Sequence, residues 1–116
     1  PYICHPFRVM DAGVTLEEKI VGILHDVIED THLLLTDLLK EGFSEEIIDA
    51  LHAISRLENE SYNHYISRLT KSDLARRVKL NDLKDNLSMI RASSISNNDI
   101  DRMRRYIDAH NKLIQQ

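Results

Sequence analysis

Residues 20–31 read IVGILHDVIEDT. Placed on a helix at about 100° per residue, they divide into two sectors. Ile20, Ile23, Leu24, Val27 and Ile28 fill one side, while His25, Asp26, Glu29 and Asp30 share the other. Glu29 stands one turn beyond His25 and Asp30 one turn beyond Asp26, so the four form a single polar patch. Gly22 falls in the same sector, where a missing side chain lets something approach the backbone. Three carboxylates near a helix C-terminus face the negative end of the macrodipole. An element with so wide an apolar side is expected to be mostly buried, where unpaired carboxylates are costly. A bound cation is the simplest compensation; the alternative is a solvated acidic helix end.

Composition sets the frame around this helix. At 116 residues the chain is long enough for one independent core and too short for two. Hydrophobic residues make up 42% and aromatics 5%, with no Trp, so the core is aliphatic. Only 3 Gly and 2 Pro punctuate the chain, which favours helices over a many-turned β fold. A formal charge of −4 gives no reason to expect a nucleic-acid surface, and an anionic small substrate needs local help from a metal, Lys or Arg. Cys4, the single cysteine, excludes an internal disulfide framework and is compatible with a reducing cytosol. No apolar run in these residues approaches the roughly 20 residues of a membrane span, and no stretch of them reads as a signal peptide.

In chain order, the opening PYICHPFRVM already has the character of a domain interior, so upstream residues are expected to precede it. Pro6 suits the first turn of a helix that runs to about Ala12, before Gly13, with His5 at its entrance. Thr15 and Glu18 form a capping box that starts the central helix, which ends near Asp30. Leu33, Leu34 and Leu35 follow in a turn as core contacts, and a short helix from Thr36 or Asp37 closes at Gly42. Ser44 caps a helix with Ile47, Ile48, Leu51 and Ile54 at helical spacing, and residues 56–60 read as a solvated break. Residues 61–69 form another short helix with Tyr62, Tyr65, Ile66 and Leu69 on one side. His32, His52, His64 and His110 lack a partner at ligand spacing and are read as structural or surface residues.

Residues 72–90, SDLARRVKLNDLKDNLSMI, are the second informative element. Leu80, Leu83, Leu87 and Ile90 make an apolar row; Val78, Asp82 and Asn86 make another at i, i+4, i+8. Asp82 thus projects from a face with an apolar neighbour, flanked one turn later by an amide. An isolated Asp on a helix is usually a solvent-facing salt-bridge former, and by composition Asp85 serves equally well. The last helix, residues 99–116, carries Ile100, Met103, Ile107, His110 and Ile114 at helical spacing, and is read as a packing helix without chemistry of its own.

HPFRVM, HDVIEDT and VKLNDLKDN, in that order and with PYIxHP in front, resemble the HD metal-dependent phosphohydrolase superfamily. More narrowly they resemble the hydrolase domain of RelA/SpoT-type proteins and the stand-alone small alarmone hydrolases. HDVIEDT is the most specific piece, and the resemblance covers at least residues 1–91. It implies an all-α HD-domain helical bundle with one metal site between three helices. His5 matches the first metal ligand, His25 and Asp26 the adjacent pair, and Asp82 the last ligand. Glu29 and Asp30 match the acidic pair associated with the attacking water, and Asn86 matches a position that contacts the nucleotide. The implied cofactor is Mn²⁺, and the implied reaction is removal of the 3′-pyrophosphate from guanosine tetra- and pentaphosphate.

Donor chemistry agrees with this set. Two imidazoles and two carboxylates suit Mn²⁺, Fe²⁺ or Zn²⁺ and match Mg²⁺ or Ca²⁺ poorly. Close like charges on Glu29 and Asp30 can also raise one carboxyl, leaving an acid for the leaving group. Leu83 and Asp85 depart from the family, standing where many members have Arg and His, and remove positive charge on the nucleotide side. Lys79, three residues before Asp82, is the candidate to replace it, though a solvated Lys is the ordinary reading. The basic residues that precede PYIxHP in the family do not occur in these 116 residues, and no synthetase domain fits within them. The expectation is a cytoplasmic single-domain hydrolase of a small nucleotide, with no nucleic-acid or membrane partner. The alternatives are an HD hydrolase of another phosphorylated nucleotide or cofactor, or a nucleotide-binding module without turnover.

Overall fold

The computed structural model describes residues 4–91 and 96–115; among them there are seven α-helices and no strand. The chain is all-α. Pro1, Tyr2 and Ile3 of the PYIxHP motif, and Gln116, lie outside the described residues. Helix α1 (Cys4–Ala12) stops before Gly13, and α2 (Leu16–Asp30) starts at Thr15. The expected capping box is formed there: the Thr15 hydroxyl accepts from Glu18 N–H at 3.1 Å, and the Glu18 carboxylate accepts from Thr15 N–H at 2.7 Å. The other Glu18 oxygen lies 3.2 Å from Arg77 Nε, so the cap also ties α2 to a distant part of the chain.

Helix α3 (Leu35–Lys40) begins a residue or two earlier than its sequence suggests, because Asp37 reaches back to accept from Leu34 N–H at 2.9 Å. Leu33 and Leu35 pack against the core as expected, but Leu34 is exposed at this N-cap. Gly42, with φ +96°, makes the left-handed turn that leads out of α3. Ser44 caps α4 (Glu45–Ile54) and Ser61 caps α5 (Tyr62–Leu69), each accepting from the N–H three residues on. Residues 56–59 are exposed and non-helical, as the expected solvated break requires, and only Glu60 departs from it. The Glu60 side chain is nearly buried and pairs with Arg68 Nε at 2.9 Å and His64 Nδ1 at 2.8 Å.

Helices α6 (Asp73–Arg91) and α7 (Asn97–Ile114) complete the fold. α2 packs against α1, α4 and α6, and α6 in turn against α1, α4 and α7, so α2 and α6 form the centre. Leu51, Ile54, Ile66, Leu69, Val78 and Leu83 fill the interior between them. Truncating one such fully buried Leu to Ala costs about 2–5 kcal/mol.

Two faces differ from the periodicity. On α2 the most deeply buried residues are Glu18, Val21, Gly22 and His25, so part of the polar sector is the inner one. On α7 the residues that pack inward are Tyr106, Ala109 and Leu113; Ile100, Ile107 and Ile114 are exposed. Helix α7 carries two apolar stripes, and the shorter one, beside the aromatic, is chosen by the core.

Candidate metal centre

The site begins with a glycine. A Cβ on Gly22 would stand 3.1 Å from both Cα and N of Met10 and 3.2 Å from the Val9 carbonyl carbon. The bare backbone of α2 is therefore where α1 crosses, and what approaches Gly22 is a helix of the same chain. That crossing delivers His5, at the start of α1, over His25. From the other side α6 supplies Asp82. Ligand atoms of His5, His25 and Asp82 all lie within 4.8 Å of one another, and all three residues are buried.

Hydrogen bonding fixes how the rings face. His25 Nδ1 lies 2.7 Å from the Gly22 carbonyl oxygen, an acceptor only, so Nδ1 carries a proton and donates. Nε2 then points at Asp26 Oδ1, 3.2 Å away, and Asp82 Oδ1, 3.4 Å away. Neither approach has hydrogen-bond geometry, and His25 Nε2 and Asp26 Oδ2 are buried without a hydrogen-bond partner. His5 Nε2 lies 2.7 Å from the same Asp82 Oδ1, and His5 Nδ1 lies 2.5 Å from Asp85 Oδ2. Burial alone would lower both histidines. The surrounding carboxylates, Asp82 foremost, outweigh it and hold both above the usual histidine range.

A buried imidazole lone pair facing carboxylate oxygens needs either protons or a cation between them. The donor set of two nitrogens and one or two oxygens fits a borderline divalent ion. Asp26, expected as a ligand, borders the three-residue cluster through His25 rather than joining it at ligand spacing.

Lys79 is not the solvated residue its composition suggests. Its Nζ lies 2.8 Å from Asp82 Oδ2 and 5.4 Å from the centre of the Tyr65 ring, with the side chain 13% exposed. Desolvation opposes its charge, but Asp82 and the flanking tyrosines hold its value well above the ordinary lysine. Asp82 is correspondingly held well below the carboxylate range: burial pushes it up, and Lys79, His25 and His5 more than reverse that.

Beside the cluster opens a cavity of about 570 Å³. Glu29, Lys79 and Asn86 line it, and Asn86 Nδ2 stands 3.5 Å from Asp82 Oδ1, at the outer limit of a hydrogen bond. Glu29 is exposed as a residue, yet partial desolvation of its carboxyl against the wall, aided by Asp26 and Asp82, raises it. Asp30 is exposed at the last residue of α2 and does not line the cavity.

The far wall was not anticipated. Arg56 stands 5.5 Å and Arg105 5.3 Å from the centre of the Tyr62 ring, and Tyr106 lies beside Arg105. The hydroxyl of Tyr62 is buried with no hydrogen-bond partner. Helix α7 thus contributes to the cavity rather than packing alone; the Tyr106, Ala109, Leu113 spacing was the available sign. Tyr65 is occupied structurally: its hydroxyl donates to the Ile54 carbonyl and burial pushes it up to about 12.

Buried N/O donors beside a basic, aromatic cavity define a candidate centre for divalent-metal chemistry on a small anionic molecule. No family model matches the chain. Two curated relatives are each named guanosine-3′,5′-bis(diphosphate) 3′-pyrophosphohydrolase. One, from Borreliella burgdorferi, is 38% identical over 63 residues, which is 51% of this chain and 9% of that protein. The other, from Aquifex aeolicus, is 26% identical over 102 residues, 78% of this chain and 14% of that protein. The chain therefore matches only a small part of either relative's length. Among the described residues no helix is long and apolar enough to cross a membrane.

Proposed function

We propose that this chain is a hydrolase domain that uses a bound divalent metal, Mn²⁺ by preference over Fe²⁺ or Zn²⁺, to remove the 3′-pyrophosphate from guanosine tetra- and pentaphosphate in the cytoplasm. The single observation that carries the reading is His25 Nε2: buried, unpartnered, and facing two carboxylates beside His5. His5, His25 and Asp82 would hold the ion, with Asp26 alongside. When bound, such an ion lowers the pKa of water and neutralises phosphate charge.

The remaining work falls to the protein, since phosphoryl transfer depends mainly on positioning and charge. Lys79 fixes Asp82. Arg56 and Arg105 supply positive charge across the cavity, and the rings of Tyr62 and Tyr106 offer faces to a base. Asn86 offers an amide to the nucleoside. Glu29, with its raised carboxyl, orients water and exchanges a proton at its carboxylate, with Asp30 next to it in sequence. Water adds to the phosphorus attached to the ribose 3′ oxygen, the bond from that oxygen to phosphorus breaks, the 3′ oxygen takes up a proton, and pyrophosphate leaves.

The test is a metal-loaded assay of the full-length protein against a panel of phosphorylated nucleotides, with the leaving group identified. Mn²⁺-dependent pyrophosphate release from guanosine tetraphosphate is expected. Release of single phosphate from another nucleotide, with guanosine tetraphosphate untouched, would assign another hydrolase of the class. Binding without turnover would make this a nucleotide-binding module.

A further inference from the structure

Of the two imidazoles in the cluster, each has its Nδ1 proton taken by a different kind of acceptor. His25 gives its proton to the backbone at Gly22. His5 gives its proton to a side chain, Asp85 Oδ2, at 2.5 Å. Asp82 Oδ1 is also a carboxylate oxygen, so without metal both ring nitrogens of His5 donate. The bond to Asp85 keeps the proton on Nδ1 and leaves Nε2, turned to Asp82, as the nitrogen that can give up its proton to a metal. Asp85 is itself clamped: Arg8 Nε reaches Oδ1 at 2.6 Å and Arg8 Nη2 reaches Oδ2 at 3.0 Å. Arg8 lies three residues after His5, on the same face of α1. One short helix thus brings both the imidazole and the guanidinium that steadies its partner. The Asp85 side chain is 14% exposed and Arg8 43%, so the carboxylate is the sheltered member and the guanidinium its solvent-side cover.

We infer that Asp85, held by Arg8, is a positioning residue for the proposed metal site, fixing the ring orientation and tautomer of His5 so that Nε2 meets Asp82 and His25; this rests on the metal reading above. A bond from a ligating imidazole to a carboxylate commonly matters ten- to hundred-fold in metal affinity. A salt bridge that merely joined α1 to α6 would change stability and leave affinity for the metal alone.

The experiment is calorimetric titration of Mn²⁺ into the wild-type chain, Asp85→Asn, Asp85→Ala, Arg8→Gln and His25→Ala, with metal-free melting temperatures measured alongside. Asp85→Asn keeps the shape and a neutral acceptor and is expected to weaken Kd about tenfold; Asp85→Ala, about a hundredfold. Arg8→Gln, acting at one remove, should weaken it less than either. His25→Ala should abolish binding. If Asp85→Asn and Asp85→Ala shift melting but bind Mn²⁺ within twofold of wild type, Asp85 is structural and this inference fails while the metal site stands. If Asp85→Ala does not fold, the Asp85→Asn and Arg8→Gln titrations decide by the same criterion. A wild-type chain that binds no Mn²⁺ overturns the metal reading itself.

Discussion

Lys79 Nζ holds Asp82 Oδ2 at 2.8 Å, and this leaves Asp82 Oδ1 to face His5 and His25. The two oxygens of one carboxylate thus serve separate partners. One is neutralised from within α6, the other from α1 and α2. Removing Lys79 strands a buried charge. Lys79→Met should cost about 3–5 kcal/mol of stability without metal. Mn²⁺ should restore part of it, because a cation at the histidines relieves the same carboxylate. Denaturant titration with and without Mn²⁺ checks this, and a loss below about 1 kcal/mol would show that Asp82 is neutralised otherwise.

Ligand and catalytic roles separate at Asp82 and Glu29. Asp82→Ala should lose both metal and turnover. Glu29→Gln should keep the metal and lose about 10²–10⁴-fold in rate, since it removes an acid–base group at the cavity wall and leaves the cluster intact. Metal content by mass spectrometry, read beside turnover, distinguishes them. Metal loss in Glu29→Gln would make Glu29 a ligand.

Gly22 sets how closely α1 approaches α2. An added methyl meets Met10 and Val9 backbone at 3.1–3.2 Å, which neither can escape by turning a side chain. Helix propensity favours Ala by about 1 kcal/mol, while overpacking costs about 1–3 kcal/mol. Gly22→Ala should therefore be net destabilising, and should weaken Mn²⁺ binding because His5 rides on the displaced helix. A variant melting above wild type would mean that α1 yields freely.

Glu60 predicts an acid limb to the stability curve. Hydrogen bonds from Arg68, then from Leu57 N–H and His64, lower its carboxyl from 4.5 to about 2, against the opposing effect of burial. A group lowered in the folded state stabilises above its unfolded value and loses that contribution as pH falls through the folded one. Stability owed to Glu60 should thus be full above about pH 4.5 and fade toward pH 2. Glu60→Gln should flatten the wild-type loss across this window. Parallel curves for the two proteins would remove Glu60 as the cause.

Most of the helical architecture was legible because caps and spacing are local: Thr15 with Glu18, Ser44 and Ser61 announce their helices within four residues. The proximity of His5, His25 and Asp82 was legible only through motif resemblance, since nothing in three separated segments states that they meet. Asp85 was seen as a departure from the family, and its bond to His5 is a tertiary contact that no periodicity encodes. The solvated reading of Lys79 fails because burial of a lysine depends on its neighbours, here Asp82 and Tyr65. On α7 both stripes are apolar, and which faces inward is settled by the core it meets.

His5 and Asp82 are separated by 77 positions along the chain, yet they share one oxygen–nitrogen contact. In hereditary terms the centre is a long-span trait. Any recombination junction falling between those codons divides it, and a chimera inherits a working cluster only if both parents packed α1 over α2 in the same way. Insertions in the connecting loops beyond the tight turn of residues 13–15, by contrast, leave the two ends free to find each other. Lineages carrying this centre should therefore exchange the span from α1 to α6 as a block, while tolerating length changes within those loops.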